Sequence, residues 1–69
     1  MPYDERKLPM DKLTRMEKNV AVYLLNGIPH GEIARALKLS VSTVKAHAGS
    51  IYRKTEVKNQ KMFMAKYLM

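Results

Sequence analysis

The chain has 69 residues, no cysteine and a net charge of +7, from 13 lysines and arginines against 6 aspartates and glutamates. This length supports one small domain, and the lack of cysteine excludes disulfides and thiolate metal sites. The two histidines, His30 and His47, are far apart and have no carboxylate at ligand spacing, so we expect no metal and no cofactor.

The positive charge is concentrated towards the C-terminus. The net charge is 0 over residues 1–12, +1 over residues 13–37 and +6 over residues 38–69. A basic face on a small domain favours a polyanionic partner, with nucleic acid ahead of a membrane, but the charge alone is equally compatible with a solubilising surface. No apolar stretch is long enough to span a bilayer, and the N-terminus is too charged for a signal peptide. We therefore expect a cytoplasmic protein without a membrane partner.

The first twelve residues contain Pro2, Pro9 and six charged residues without a sustained hydrophobic period. This composition predicts an irregular arm or linker remnant, followed by a single domain over residues 13–69.

The first helix has clear signals at both ends. Thr14 and Glu17 have the spacing of a capping box, in which each side chain accepts a hydrogen bond from the other residue's backbone N–H. Gly27 is predicted to end the helix in the left-handed conformation. Between them, one face of the helix is predicted to carry Met16, Val20, Tyr23 and Leu24.

Two more helices are predicted with a tight connection between them. Pro29 suits the opening turn of the second helix, whose buried stripe is Ile33, Ala34 and Leu37. Leu39 lies in the connection, and Ser40 is a good N-cap for the third helix. This arrangement is that of a helix-turn-helix, which places its second helix in the DNA major groove.

The third helix has two different faces. At about 100° per residue, the face predicted to pack inward carries Val44, Ala48, Ile51 and Thr55. The opposite face carries Ser42, Ala46, Gly49 and Arg53, with Lys45 and Lys54 on its flanks. Small residues bordered by basic ones suit close approach to a groove between two rows of phosphates.

The fourth helix is predicted from about Lys58 to Tyr67 or beyond. It is apolar nearly all the way round, with Met62, Phe63, Met64, Ala65, Tyr67, Leu68 and Met69. Such a helix must be buried on more than one side, which favours a two-fold dimer through this helix; the alternative is an apolar tail that frays.

These motifs, in this order and at this spacing, resemble the DNA-binding domain of LuxR/FixJ-type response regulators, including the short stand-alone GerE-like proteins. The resemblance covers residues 13 to about 67. The matching pieces are LT..E from Leu13, EIA..L.LS from Glu32, TVK.H from Thr43, I..K from Ile51 and V.N from Val57.

The resemblance implies an all-α, four-helix domain containing a helix-turn-helix, with a recognition helix over about residues 41–55. It implies a homodimer on promoter DNA, for which we assign the interface to Met62, Phe63, Lys66 and Met69. A receiver or sensor domain can precede such a domain. By the same resemblance, the residues that face the bases are Lys45, Ala46 and Gly49. Those that contact phosphates are Thr43, Lys54 and Arg53. Ser42, on the same face of the helix, is also assigned to DNA binding.

No Ser/His/Asp set, paired carboxylates or glycine-rich phosphate loop is evident, so we do not expect an enzyme. The leading hypothesis is a sequence-specific transcriptional regulator of the bacterial nucleoid that binds double-stranded DNA as a dimer. The alternative is a protein-interaction module that docks through its apolar C-terminal helix. Action at anionic membranes is disfavoured, because the basic and apolar residues are spread over several capped helices.

Overall fold

The computed structural model describes residues 8–9 and 11–67. Within this part the chain forms four helices and no strand: α1 (Arg15–Leu25), α2 (His30–Leu37), α3 (Val41–Thr55) and α4 (Gln60–Tyr67). The predicted all-α, four-helix class is therefore confirmed. Predictions for residues 1–7, Met10, Leu68 and Met69 lie outside the described residues.

The ends of α1 follow the local sequence signals. Thr14 Oγ1 accepts a hydrogen bond from the Glu17 N–H (3.2 Å), and Glu17 Oε1 accepts one from the Thr14 N–H (2.8 Å). At the other end, Gly27 has a φ of +74°, a conformation that glycine adopts without strain. The predicted capping box and glycine stop are both confirmed.

The connection between α2 and α3 is short and is held by hydrogen bonds at both of its ends. Pro29 precedes α2 without a side-chain cap, and its carbonyl accepts the N–H groups of Glu32 and Ile33 (both 3.0 Å). Lys38 ends α2 in the left-handed conformation, and the Leu39 N–H donates to the Ala34 carbonyl (2.8 Å). Ser40 then caps α3. This geometry is the predicted helix-turn-helix.

The core is built around α3, which packs against each of the other three helices. The residues that α3 buries are the predicted stripe of Val44, Ala48, Ile51 and Thr55. The Thr55 hydroxyl donates to the Ile51 carbonyl (2.8 Å), so its polar group is satisfied inside the core. The largest fully buried side chains come from all four helices: Phe63, Leu24, Ile33, Ile51, Val20 and Val44.

The start of α4 lies two residues after the predicted Lys58, because Asn59 acts as its cap. Asn59 Oδ1 accepts the Met62 N–H (2.8 Å). Gln60 joins α4 to the end of α1, since its Nε2 donates to the carbonyls of Leu24 (3.1 Å) and Ile28 (3.2 Å). The end of α1 and the start of α4 are thus held together by bonds from one side chain to the backbone.

One face of α4 completes the core of its own chain. Phe63 and Tyr67 are buried, and the Phe63 ring lies 5.9 Å from the Tyr52 ring and 5.3 Å from the Tyr67 ring, measured between centroids. α1 and α3 of the same chain cover this face of α4, and dimerisation through its other faces stays a prediction. Leu8 is buried as well, so a residue of the predicted arm packs on the core.

The Tyr52 hydroxyl is buried without a hydrogen-bond partner among the described residues, and burial raises the pKa of this group. An unpaired buried hydroxyl destabilises a fold, so Tyr52→Phe should raise the free energy of unfolding by about 1 kcal/mol. Urea denaturation measures the change. Tyr23→Phe, at another half-buried tyrosine, is the matched control and should change stability by less. A loss of stability in Tyr52→Phe would contradict this account.

Candidate nucleic-acid interface

The side of α3 that points away from the core forms a surface that we call the groove face, made of Ser42, Lys45, Ala46, Gly49 and Arg53. Four of these residues are exposed and Gly49 is half-buried. The surface has little relief at its centre, because its two central residues have a methyl group or no side chain. The structure thus brings these five predicted site residues together on one accessible face, while their role in binding stays a prediction.

A cluster of hydroxyls lies at the N-terminal end of the groove face. Ser40 Oγ accepts the Thr43 N–H (3.1 Å) and lies 2.8 Å from Thr43 Oγ1 and 3.2 Å from Ser42 Oγ. No acidic residue lies in the first turn of α3. The partial positive charge of this helix end is therefore uncompensated locally, an arrangement that favours anions such as phosphate.

Lys54, predicted to contact phosphate, is held within the protein by Glu17. Lys54 Nζ lies 2.7 Å from Glu17 Oε1, with the two side chains 33% and 5% exposed. Ser50 Oγ donates to the other carboxylate oxygen of Glu17. The carboxylate thus accepts bonds from two successive turns of α3 and from the N–H of Thr14, the N-cap of α1.

These contacts control the ionisation of Glu17. Burial by itself raises the pKa of this carboxyl, but the hydrogen bonds from Lys54, Ser50 and Thr14 and the charge of Lys54 outweigh burial and lower the pKa to about 2. Glu17 is therefore ionised in the folded chain at neutral pH. Its negative charge offsets the charge of Lys54, which leaves Lys45 and Arg53 as the stronger cations of this surface.

The long-range role of Glu17 was missed from sequence, where it was assigned only to the capping box. The contacts to Ser50 and Lys54 span 33 and 37 residues. One signal was available: Ser50 and Lys54 are four residues apart, so they share a flank of α3 next to its buried stripe. Polar residues at such an edge often pair with a polar residue of the packing helix.

The residues predicted for a dimer interface occupy different environments. Phe63 has no exposed surface, so the placement of this ring on an interface is corrected: it packs inside its own chain. Lys66 is exposed, and its Nζ donates to the Thr55 carbonyl at the end of α3. Met62 is 44% exposed, and Met69 lies outside the described residues.

No helix in the described part of the chain is both long and apolar enough to cross a bilayer. Over residues 8–9 and 11–67, no cluster of three or more histidines and carboxylates has the arrangement of a metal site. What the groove face offers to a ligand is a set of hydroxyl and cationic hydrogen-bond donors.

The Glu17 contacts predict an acid-sensitive contribution to stability. Because the pKa of Glu17 is lower in the folded chain than its ordinary 4.5, the ionised group stabilises the fold above about pH 4.5. That contribution is lost as the pH falls towards 2. Glu17→Gln should therefore lower the free energy of unfolding by about 2 to 3 kcal/mol at pH 7, and by much less near pH 2.5. Urea denaturation at the two pH values measures both differences.

Glu32→Gln removes the same charge from an exposed carboxylate and serves as the control, with an expected change within about 0.5 kcal/mol at either pH. If the destabilisation of Glu17→Gln were equal at pH 7 and pH 2.5, the ionised carboxylate would not be its cause.

Comparisons with known proteins agree with this architecture. The chain matches the family described as bacterial regulatory proteins, luxR family, over residues 11–65. It is 38% identical over 66 residues to YhjB of Escherichia coli (strain K12), named as an HTH-type transcriptional regulator, covering 87% of this chain and 33% of that protein. It is also 38% identical over 68 residues to YhcZ of Bacillus subtilis (strain 168), named as a transcriptional regulatory protein, covering 94% of this chain and 32% of that protein.

No solved structure matches the chain at a significant level. The chain spans about a third of the length of these two relatives. The family match covers most of the chain and includes α1, α2 and α3 in full. By this match, and by its helix-turn-helix, the chain belongs to the luxR family of bacterial regulatory proteins.

Proposed function

We propose that this domain binds double-stranded promoter DNA, with the groove face of α3 in the major groove, and that it is the DNA-binding part of a transcriptional regulator. The observation that carries the proposal is the groove face itself: small and basic residues point outward from a helix whose other side is anchored in the core. The two relatives are named as transcriptional regulators, which supports the same conclusion.

The dimensions of α3 suit this role. Its 15 residues give a length of about 22 Å, and Ser42 to Arg53 span about 16 Å of it. The major groove admits an α-helix, and a helix with alanine and glycine at its centre can approach the base edges closely. Lys45 is exposed in the first half of α3, where helix-turn-helix proteins contact bases.

Phosphate contacts would hold the helix in register. The hydroxyls of Ser42 and Thr43, at the start of α3, are suited to donate to one phosphate. Lys54 contributes less than its charge suggests, because Glu17 binds its ammonium group. We expect Ala46 to touch a thymine methyl group.

We also propose that two copies bind a two-fold site through α4, with Met62 at the contact and Lys66 at its edge. The exposed Met62 side chain is suited to such a contact, since methionine packs on surfaces of varied shape. From the resemblance to LuxR/FixJ-type regulators, we also propose a receiver or sensor domain in the same regulator, with residues 1–12 in the linker.

Lys45→Ala should weaken DNA binding about tenfold if the lysine contacts a base or phosphate. The probe is a duplex that the 69-residue chain selects from a random pool, and affinity is measured by fluorescence anisotropy across a salt series. The wild-type affinity should fall log-linearly with salt. Lys12, which lies beside the C-terminal end of α3, is the matched control, and Lys12→Ala should bind nearly as the wild type does. Equal affinities of the wild type and Lys45→Ala for the duplex would show that the groove face of α3 does not lie in the major groove as proposed.

Met62→Glu should reduce binding of the second copy, because a charge then replaces an apolar contact. Sedimentation of the chain on the selected two-fold duplex and on its half-site gives the stoichiometry. Val22→Glu makes the same change at another exposed apolar residue and should retain two copies per duplex. If two copies of the Met62→Glu variant still bind the two-fold duplex with unchanged cooperativity, the dimer contact lies elsewhere.

A further inference from the structure

We propose that Arg53 is a specificity-determining residue that reads guanine in the major groove through the space left by Gly49. This inference rests on the proposed function, in which the groove face meets DNA. The resemblance implies a phosphate contact for Arg53, and Gly49 has no side chain with which to contact a base.

The guanidinium of Arg53 lies over Gly49. A Cβ built at Gly49 would have Arg53 Nη1 at 3.8 Å, with no other side chain within 4 Å. Helical side chains lean towards the N-terminus of their helix, so a residue covers the turn before its own. Arg53 is one turn after Gly49, and its charged end therefore lies in contact distance of the position where a side chain of residue 49 would begin.

The guanidinium is also free to bind a ligand. Arg53 is exposed, and no carboxylate pairs with it among the residues that the structure describes. The neighbouring cations differ: Lys54 is bound by Glu17, and Lys66 donates to the Thr55 carbonyl. Of these three cations near the end of α3, Arg53 alone has none of its donors bonded within the described part of the chain.

The chemistry of this position favours a base over a phosphate. Ala46 and Gly49 place no polar atom at the centre of the groove face, so polar readout there must come from a longer side chain. Arginine binds the O6 and N7 atoms of guanine with two parallel hydrogen bonds, the commonest specific contact in the major groove. Reaching back by one turn, about 5 Å, brings the guanidinium of Arg53 from the end of α3 towards its centre.

The first test uses Arg53→Lys and Arg53→Ala with the duplex selected by the wild-type chain. Each base pair of the duplex is changed in turn, and relative affinities are measured by competition. Arg53→Lys keeps the charge but loses the two-pronged donor. It should therefore lose a preference of about tenfold for one G·C pair, with the salt dependence and thermal midpoint unchanged. If Arg53 contacts a phosphate instead, Arg53→Lys keeps every preference. Arg53→Ala then weakens all duplexes equally and reduces the salt slope by about 0.9.

The second test changes Gly49, beside the guanidinium, and leaves Arg53 in place. Gly49→Ala adds a methyl group at ordinary contact distance from Nη1 and should keep the G·C preference. Gly49→Leu fills the space and should abolish that preference with Arg53 still present. Both substitutions favour helix formation, and the thermal midpoint of each variant verifies that it is folded.

The outcomes separate the two proposals. A wild-type chain that binds no duplex in the selection would overturn the proposed function and this inference together. The wild-type chain can instead show clear base preferences that Arg53→Lys and Gly49→Leu both retain. That result would overturn only the assignment of Arg53 to a base.

Discussion

The buried carboxylate of Glu17 is the contact on which the presentation of α3 depends. It accepts hydrogen bonds from the backbone at the start of α1 and from Ser50 and Lys54 on α3. Because Ser50 and Lys54 lie on one flank of α3, holding them against α1 sets the rotation of α3 about its own axis. The same contact that caps one helix therefore decides which residues of another helix reach solvent.

Apolar packing alone would define this rotation less sharply. The buried stripe of α3 consists of Val44, Ala48, Ile51 and Thr55, which are small or medium-sized side chains with little shape to distinguish one rotation from a nearby one. Directional bonds at the edge of the stripe have a narrower geometry. In a domain of 69 residues, where a core of limited size leaves little stability in reserve, a charged contact of this kind affects both stability and the shape of the exposed surface.

The distribution of charge has to be considered together with these internal contacts. The net charge of +6 over residues 38–69 suggests a uniformly basic surface. Two of its cations have partners inside the chain, Lys54 with Glu17 and Lys66 with the carbonyl of Thr55. The remaining exposed cations on α3 are Lys45 and Arg53, and the two residues between them on this face, Ala46 and Gly49, carry no charge. This separation leaves the groove face with few cationic donors that have no partner within the described part of the chain.

The sequence by itself determined the features that depend on residues three or four positions apart. The capping box of Thr14, the glycine stop at Gly27, the Ser40 cap and the buried stripe of α3 were all predicted, because each follows from helix geometry and local hydrogen bonding. The tertiary structure alone decided how distant residues pair: Glu17 with Lys54 across 37 positions, Gln60 with the Leu24 carbonyl across 36, and Phe63 with the core rather than with a second chain. It also decided that the guanidinium of Arg53 lies over Gly49, because a long side chain has many rotamers and its position depends on which neighbours already have partners.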